Sequence, residues 1–246
     1  MAIMHTLFFS GTLKRRCAMN VYVPERPHSD GKAGFPVVYL LHGRSDDENS
    51  YADHGIRALC EKYEFIVVMP DGARSFYCDM VSGEKYWTFI SEELPRLISV
   101  MFPVRQDRAN TFAAGLSMGG YGAFKIGMSR PERFSMAASL SGAFDIAKRA
   151  ARPENFHIFG QNAVGSENDP YAIAEKLVES GKPMPELFQW CGTEDSLYGE
   201  NIKMRDFLRE KGFSLAYSES RGNHSWPYWD EHIQDVLRWI VEKREK

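Results

Sequence analysis

A short segment of the sequence places a serine where it could act as a nucleophile. The pentapeptide GLSMG, from Gly115 to Gly119, fits the pattern G-x-S-x-G and lies between an apolar stretch typical of a strand and a stretch typical of a helix. In a nucleophile elbow the serine occupies a tight strand-to-helix turn, and glycines flank it because a β-carbon there would clash with neighbouring elements. The motif also arises by chance in glycine-rich turns, but this context predicts Ser117 as a nucleophile.

The attack of a serine on an acyl carbon creates an oxyanion, which needs hydrogen-bond donors. The elbow places the backbone N–H of Met118 at a helix N-terminus, where partial positive charge favours an anion. A second donor is expected in the loop LLHGRSDD, where Gly43 allows a backbone N–H to turn inward. Either Gly43 or Arg44 could supply it. His42 is a further candidate base, but it precedes the serine in the chain, so we expect it to brace the loop.

A serine nucleophile also needs a histidine base held by a carboxylate. In proteins with a nucleophile elbow, these residues follow the chain order serine, acid, histidine. His224 lies in the turn-rich loop RGNHSWPYW between the last predicted strand and the last predicted helix, so it is the predicted base. His157 lies in an irregular segment and is expected to pack or to belong to a cap. His232 falls in a helical pattern and is expected at the surface.

The predicted acid is Asp195, in the loop GTEDSLYG directly after a buried strand. Ligands bind beyond the carboxyl ends of strands in open α/β sheets, so a carboxylate at this position is well placed. Its neighbour Glu194 is one competitor. Asp145 is another, because it follows the preceding strand and some proteins of this fold carry the acid there.

Aromatic side chains near these loops are candidates to line a substrate pocket. They are Trp87, Trp226 and Tyr228, with packing in the core or on the surface as the alternative for each. Arg44 and the pair Asp46–Asp47 give the mouth of the site mixed charge. No cofactor and no metal ion is expected for this chemistry, and the expected partner is a small-molecule substrate.

Composition and charge argue against several classes of protein. The chain has 246 residues and a net charge of −3, so it lacks the basic footprint of a nucleic-acid-binding protein. Its four cysteines are scattered without the spacing of a zinc site, which indicates free thiols. The N-terminal sequence lacks a signal-peptide pattern, and no stretch is apolar enough to span a membrane. We expect a cytoplasmic protein that binds neither nucleic acid nor membrane, with a homo-oligomer left open.

The candidate residues must be positioned by strands and helices that alternate along the chain. The runs Pro36–Gly43 and Phe65–Gly72 are short, continuous and apolar, as in strands buried on both faces of a parallel sheet. The segment LKRRCAMNVYV is expected to form an edge strand, and Glu84–Met101 is expected to form a helix. The alternation predicts a mostly parallel, doubly wound α/β sheet with helices on both faces.

Residues 143–185 interrupt this alternation with a long, proline-containing, irregular stretch. Long ordered insertions in compact domains often act as lids over a site, although a decorated crossover is the alternative. We therefore expect one domain over residues 1–246, in which residues 143–185 form a small cap-like insertion.

Seven blocks of the sequence, in order, resemble the esterase D-like branch of the α/β-hydrolases, and within it the tributyrin esterase type. They are FFSGTLKRRCAMNVYVPE, VVYLLHGRSDDENSY, VVMPDG, EELPRLI, AAGLSMGGYGAFK, WCGTEDSLY and GNHSWPYWDEHI, and together they run through nearly the whole chain. The resemblance implies an α/β-hydrolase fold with Ser117 as nucleophile, Asp195 as acid and His224 as base, and it favours Asp195 over Asp145. Relatives include S-formylglutathione hydrolases and feruloyl esterases, from which this chain departs mainly in residues 143–185.

The resemblance also implies an activity. It implies a serine carboxylesterase that hydrolyses short-chain acyl esters, including acetylated sugars, through an acyl-enzyme and without metal or cofactor. A thioester hydrolase acting on S-formylglutathione would use the same triad and is the first alternative. A serine peptidase shares the fold, but nothing in the sequence indicates a peptide-binding module. A non-catalytic binding protein is the last alternative, and the presence of all three triad residues in order argues against it.

Overall fold

The strands of this protein form one mixed, mostly parallel sheet. The computed structural model describes residues 2–54 and 56–244, and its strands are β1 Ala2–Ser10, β2 Arg15–Val23, β3 Val37–Leu41, β4 Ile66–Pro70, β5 Thr111–Leu116, β6 Met136–Leu140, β7 Glu186–Gly192 and β8 Leu215–Ser220. They pair into an eight-stranded sheet in the order β1-β2-β4-β3-β5-β6-β7-β8. Strands β3 to β8 run parallel to one another, and β1 and β2 add an antiparallel hairpin at one edge.

The central strands are buried on both faces of the sheet. Every residue of β3, β4, β5 and β6 is buried. In β3, Val37, Tyr39 and Leu41 pack into one core, whereas Val38 and Leu40 pack into the other. Successive side chains of a strand point to opposite faces, so a continuous apolar run serves both cores. This arrangement confirms the predicted doubly wound α/β sheet.

Helices cover both faces of the sheet. They are α1 Ile56–Tyr63, α2 Tyr86–Thr88, α3 Leu94–Met101, α4 Met118–Ser129, α5 Ile146–Ala150, α6 Phe156–Phe159, α7 Pro170–Ser180, α8 Tyr198–Glu210 and α9 Trp226–Arg244. Helices α1 and α9 pack into the core that contains Val38, whereas α3, α4, α7 and α8 pack into the core that contains Val37. Within the described residues, no helix combines the length and the apolar character needed to cross a bilayer.

The second strand does not lie at the edge where the sequence places it. The segment LKRRCAMNVYV supplies β2, but β2 is paired on both sides, by β1 and by β4. The predicted edge position is therefore wrong. Residues Ala2–Ser10, for which the sequence analysis proposes no strand, take the edge instead, because their apolar residues do not alternate cleanly with polar ones and give no clear period-two signal.

The predicted helix over Glu84–Met101 is divided in the structure. A π-helical turn at Phe89–Glu93 separates α2 from α3, and Pro95 lies at the start of α3. Proline has no N–H, so it cannot complete the helical hydrogen bond to the carbonyl four residues earlier. That carbonyl, of Ser91, instead accepts a hydrogen bond of 2.6 Å from Nη1 of Arg133.

Residues 143–185 contain short helices rather than irregular chain throughout. Helices α5, α6 and α7 all lie in this segment. The backbone N–H groups of Val81 and Ser82 donate to the carbonyls of Ile158 and His157, at 3.3 and 3.0 Å. These bonds attach the segment to the loop that follows β4. The function of the segment as a cap stays a prediction.

Candidate active site

Ser117 occupies the turn between β5 and α4 in a backbone conformation that few residues adopt. Its φ of 54° and ψ of −116° lie outside the regions that L-residues favour. Its N–H donates to the carbonyl of Leu140 at 2.8 Å, and its own carbonyl accepts from the N–H of Ala143 at 3.1 Å. These two bonds hold the turn in the strand-turn-helix geometry that the sequence motif predicts.

The glycines on either side of Ser117 allow the strand and the helix to approach closely. A β-carbon on Gly119 would overlap the carbonyl group of Leu41 in β3, and a β-carbon on Gly115 would overlap the carbonyl of Gly119. Backbone atoms cannot move aside as a flexible side chain can. Both positions therefore accept only glycine.

We expect Gly119→Ala to lower the free energy of unfolding by at least about 3 kcal/mol, because the new methyl group overlaps the backbone of Leu41 and His42. Gly199→Ala is the matched control, since Gly199 lies in α8 and nothing beyond its own turn of helix comes within 4 Å of its β-carbon position. The control should gain about 0.5–1 kcal/mol from the better helix propensity of alanine. Urea denaturation measures both values, and equal stability of the two variants would contradict the close contact at Gly119.

Three side chains from separate loops form one hydrogen-bonded chain. Nε2 of His224 lies 2.9 Å from Oγ of Ser117. Nδ1 of His224 lies 2.9 Å from Oδ2 and 3.1 Å from Oδ1 of Asp195. Ser117 follows β5, Asp195 follows β7 and His224 follows β8, so the carboxyl ends of parallel strands bring the three together at one edge of the sheet. The order of contacts is that of a nucleophile, a base and an acid.

The carboxylate of Asp195 is buried beneath His224. Burial acts to raise its pKa, but the hydrogen bond and the charge of His224, the N–H of Leu197 and the hydroxyl of Ser141 act in the opposite direction. Together they hold the pKa of Asp195 below its ordinary value. The N–H of Leu197 donates to Oδ1 at 2.8 Å. Asp195 is therefore ionised at neutral pH, and its charge would stabilise an imidazolium on His224.

Ser141 and Trp229 support His224 and Asp195 from the side of the protein core. Oγ of Ser141 accepts a hydrogen bond of 3.1 Å from Nε1 of Trp229, and Ser141 has a positive φ of 51°. The Trp229 ring packs edge-on against the His224 ring, with centroids 4.8 Å apart. Sequence reasoning missed both residues. The available signal was the position of Ser141 directly after the buried strand β6, at the same edge of the sheet as Ser117.

The loop after β3 is fixed by His42 and Tyr77. Nδ1 of His42 lies 2.7 Å from the carbonyl oxygen of Gly43, and its Nε2 accepts from the N–H of Gly72 at 2.8 Å. The hydroxyl of Tyr77 donates to the carbonyl of His42 at 2.9 Å. Both ring nitrogens of His42 are thus engaged with backbone, which agrees with a bracing role and not with a role as base.

The backbone of this loop lies directly beside the nucleophile. A β-carbon on Gly43 would stand 3.8 Å from Cβ of Ser117 and 2.8 Å from Cδ1 of Leu116. The N–H groups of Gly43, Arg44 and Met118 donate to no acceptor within the residues that the structure describes. An acceptor atom of a ligand that reached this point could pair with them.

The side chain of Arg44 joins the loop to the segment of residues 143–185. Its Nη2 donates to Oδ1 of Asn155 at 3.2 Å, and Nδ2 of Asn155 donates to the carbonyl of Arg149 at 2.9 Å. Burial, and after it the positive charge of Arg74, lowers the pKa of the Arg44 guanidinium. Its Nε is buried without a hydrogen-bond partner among the described residues. The loop beside Ser117 and the predicted cap are thus directly connected.

The ring of Trp229 lies between Trp226 and His224. Trp226 stacks on the ring of His54 with centroids 3.9 Å apart, and it packs edge-on against Trp229 at 5.7 Å. Trp229 in turn contacts His224. Tyr228 packs over Gly222, where a β-carbon would stand 2.8 Å from its ring. Trp226 therefore belongs to the aromatic group behind the base.

The structure does not bring Trp87 to the serine. The Trp87 ring lies 4.6 Å from Nζ of Lys125 and 5.1 Å from the guanidinium carbon of Arg130. Lys125 is fully buried and donates to Oδ1 of Asn168 at 2.6 Å. Trp87 thus covers a buried cation. The groove of about 220 Å³ that it lines with Arg130 contains no residue of the triad.

The competing acid and base residues have other partners. Asp145 caps α5, since its Oδ1 accepts from a backbone N–H in the first turn of that helix at 2.9 Å. Glu194 forms an exposed ion pair of 3.0 Å with Arg221. His232 is buried and stacks on Trp190 with ring centroids 4.1 Å apart. The expectation of a surface position for His232 is therefore wrong, because the inner face of α9 carries this residue against the sheet.

The chain is similar over nearly its whole length to several known proteins. A family model described as putative esterase matches residues 10–240. An acetyl esterase of Caldicellulosiruptor saccharolyticus is 30% identical over 261 residues, which cover 98% of each chain. Two solved structures of Staphylococcus aureus cover 98% of both chains at 29% identity: the substrate-bound fluorophosphonate-binding serine hydrolase F, with a TM-score of 0.92, and an S-formylglutathione hydrolase, with a TM-score of 0.89.

Proposed function

Because the chain belongs to the putative esterase family and is a serine carboxylic ester hydrolase of the α/β-hydrolase fold, we propose that it hydrolyses short-chain acyl esters with Ser117 as nucleophile, His224 as base and Asp195 as acid. One observation supports this assignment above the others. The hydrogen-bonded chain from Oγ of Ser117 through both nitrogens of His224 to Asp195 is unbroken, with no contact longer than 3.1 Å.

The reaction is a two-step acyl transfer. Nε2 of His224 accepts the hydroxyl proton while Oγ of Ser117 bonds to the acyl carbon and the carbonyl electron pair moves onto oxygen. The tetrahedral intermediate collapses, the bond to the alcohol oxygen breaks, and the alcohol leaves with the proton from Nε2. Water then attacks the acyl-enzyme with His224 as base again, and the acid product and free Ser117 result. Asp195 keeps the imidazole oriented and stabilises its positive charge in both steps.

The proposed oxyanion hole combines the N–H of Met118 with an N–H from the loop after β3. The carbonyl of Gly43 lies against His42, and in a trans peptide the following N–H points to the opposite side. The N–H of Arg44 therefore points away from His42, which favours Arg44 over Gly43 as the second donor. Removal of one such donor typically costs about 10²–10³ in kcat.

The proposed substrates are small esters with a short acyl group. The acetyl esterase of C. saccharolyticus supports this choice, since it is similar to the chain along its whole length. A thioester hydrolase is the second candidate, supported by the S-formylglutathione hydrolase of S. aureus. The triad chemistry is the same for both, so the leaving group distinguishes them. The cytoplasmic location and the independence from cofactors and metal ions stay predictions from the sequence.

The decisive experiment is a comparison of substrates on the purified enzyme. We expect kcat/KM for p-nitrophenyl esters to fall at least about tenfold between the acetyl or butanoyl ester and the octanoyl ester, because a pocket built for a short chain excludes the longer one. The feruloyl ester is measured in the same series. A higher kcat/KM for S-formylglutathione than for p-nitrophenyl acetate would instead favour the thioester hydrolase, and a preference for octanoyl or feruloyl would overturn the short-chain assignment.

A further inference from the structure

The outer edge of the sheet is an apolar strand that no described residue covers. Strand β1 pairs with β2 along all nine of its residues, and its other side has no partner strand. Ile3, Leu7 and Phe9 are 44%, 70% and 67% exposed. They share one face of the sheet because their sequence separations are even. The result is a stripe of large apolar side chains beside an open strand edge.

This edge lacks the features that normally prevent pairing with another strand. Strand β1 contains no proline and no Asp, Glu, Lys or Arg, and its register with β2 is continuous from Ala2 to Ser10 without a bulge. The open N–H and C=O groups of an edge strand are a template for a further strand, so proteins usually protect such edges with charges, prolines or bulges. An unprotected edge with an apolar face therefore fits a strand partner.

Strand β1 is complementary to itself when one copy is reversed. With Thr6 opposite Thr6 in an antiparallel pair, Ile3 lies opposite Phe9 and Met4 lies opposite Phe8. Aromatic residues opposite β-branched or other apolar residues stabilise strand pairs. We propose that two copies of this chain form a dimer by pairing their β1 strands antiparallel, about a two-fold axis that passes between the two Thr6 residues.

A second copy suits this edge because the two-fold axis forms each favourable cross-strand pair of side chains twice. The two sheets continue into one another, which pairs the open backbone groups and brings the two apolar stripes side by side. No like charges meet along the strands, since β1 carries no acidic or basic side chain other than His5. Strand β1 lies four strands from β5, about 19 Å away at about 4.8 Å per strand, so the dimer leaves Ser117 accessible.

The first test uses an introduced thiol to read the register. In the proposed pair, Thr6→Cys places two thiols directly opposite each other, with Cα atoms about 4.5–5.5 Å apart, which permits a disulfide. Leu7→Cys is the matched control, because its two thiols are offset by two residues and lie about 8 Å apart. The four native cysteines are buried and do not compete. Mild oxidation should cross-link Thr6→Cys at least about tenfold faster than Leu7→Cys; equal or reversed rates overturn the register.

The second test measures the oligomeric state by sedimentation. The unmodified chain should be a dimer at ~100 μM and dissociate on dilution, since a strand edge is a small interface. Thr6→Glu should be a folded monomer, because only the dimer places its two carboxylates directly opposite each other. Val164→Glu is the control, as Val164 is 66% exposed in the segment of residues 143–185, and it should stay dimeric. A monomeric unmodified chain at ~100 μM, or a dimeric Thr6→Glu, overturns the proposal.

Discussion

Replacing Ser117 with alanine is expected to lower kcat for p-nitrophenyl acetate by about 10⁴–10⁶-fold, because the variant lacks the oxygen that is proposed to form the acyl-enzyme. The same variant should lose labelling by a fluorophosphonate, which reacts with an activated serine hydroxyl. The hydroxyl of Ser117 is hydrogen-bonded to Nε2 of His224. The backbone bonds that hold the turn do not involve this hydroxyl, so the fold should be retained. Steady-state kinetics, labelling and circular dichroism measure the three effects.

Ser129→Ala is the matched control for this substitution. Ser129 lies at the other end of the same helix, α4, and it should keep both the activity and the labelling of the unmodified enzyme. Labelling that persists in Ser117→Ala would place the nucleophile on another serine. If Ser117→Ala also lost the circular dichroism signal of the folded chain, labelling would be measured on its folded fraction alone. Labelling that persisted in this fraction would again refute the assignment.

Asp195→Asn is expected to lower kcat by about 10³–10⁴-fold, because an amide can donate to Nδ1 and so stabilise the wrong tautomer of His224. The two side chains have the same size, so the packing beneath His224 stays as it is. Asp145→Asn should change kcat by less than about twofold, since asparagine caps a helix as well as aspartate does. The pair of variants separates an effect on the base from a general loss of a carboxylate.

The opposite ranking of the two losses in kcat would contradict the proposed acid. A large loss in Asp145→Asn with little loss in Asp195→Asn would place the acid after β6 instead of β7. Glu194→Gln adds a third comparison, because Glu194 adjoins Asp195 in sequence but pairs with Arg221 at the surface. Its kcat should match that of the unmodified enzyme, and a loss as large as that of Asp195→Asn would contradict the geometry of the hydrogen-bonded chain.

The elements that present the proposed triad could be predicted because their signals are local. An elbow needs glycines at fixed positions around the serine, and Gly115 and Gly119 occupy these positions in the sequence. In the structure, a β-carbon at either position would overlap backbone atoms. Loops at the carboxyl ends of parallel strands converge on one edge. His224 and Asp195 each follow such a strand, so both are expected at the same edge of the sheet as Ser117.

The misplaced residues depend on information that is not local. The ring of Trp87 lies over Nζ of the buried Lys125, and no spacing in the sequence indicates that contact. His232 has the exposed-looking neighbours Glu231 and Gln234, yet the rotation of α9 against the sheet buries it. The edge position of β1 depends on the pairing of two strands with β2, which a pattern within one strand cannot reveal.

The contact between Arg44 and Asn155 has an evolutionary consequence. Arg44 belongs to the loop proposed to bind the oxyanion, and Asn155 belongs to the segment of residues 143–185. A change in this segment that moves Asn155 would break a hydrogen bond that anchors the side chain of Arg44, the residue whose N–H is proposed to bind the oxyanion. If residues 143–185 contact the alcohol group, as the predicted cap would, adaptation to a new alcohol would alter kcat together with KM.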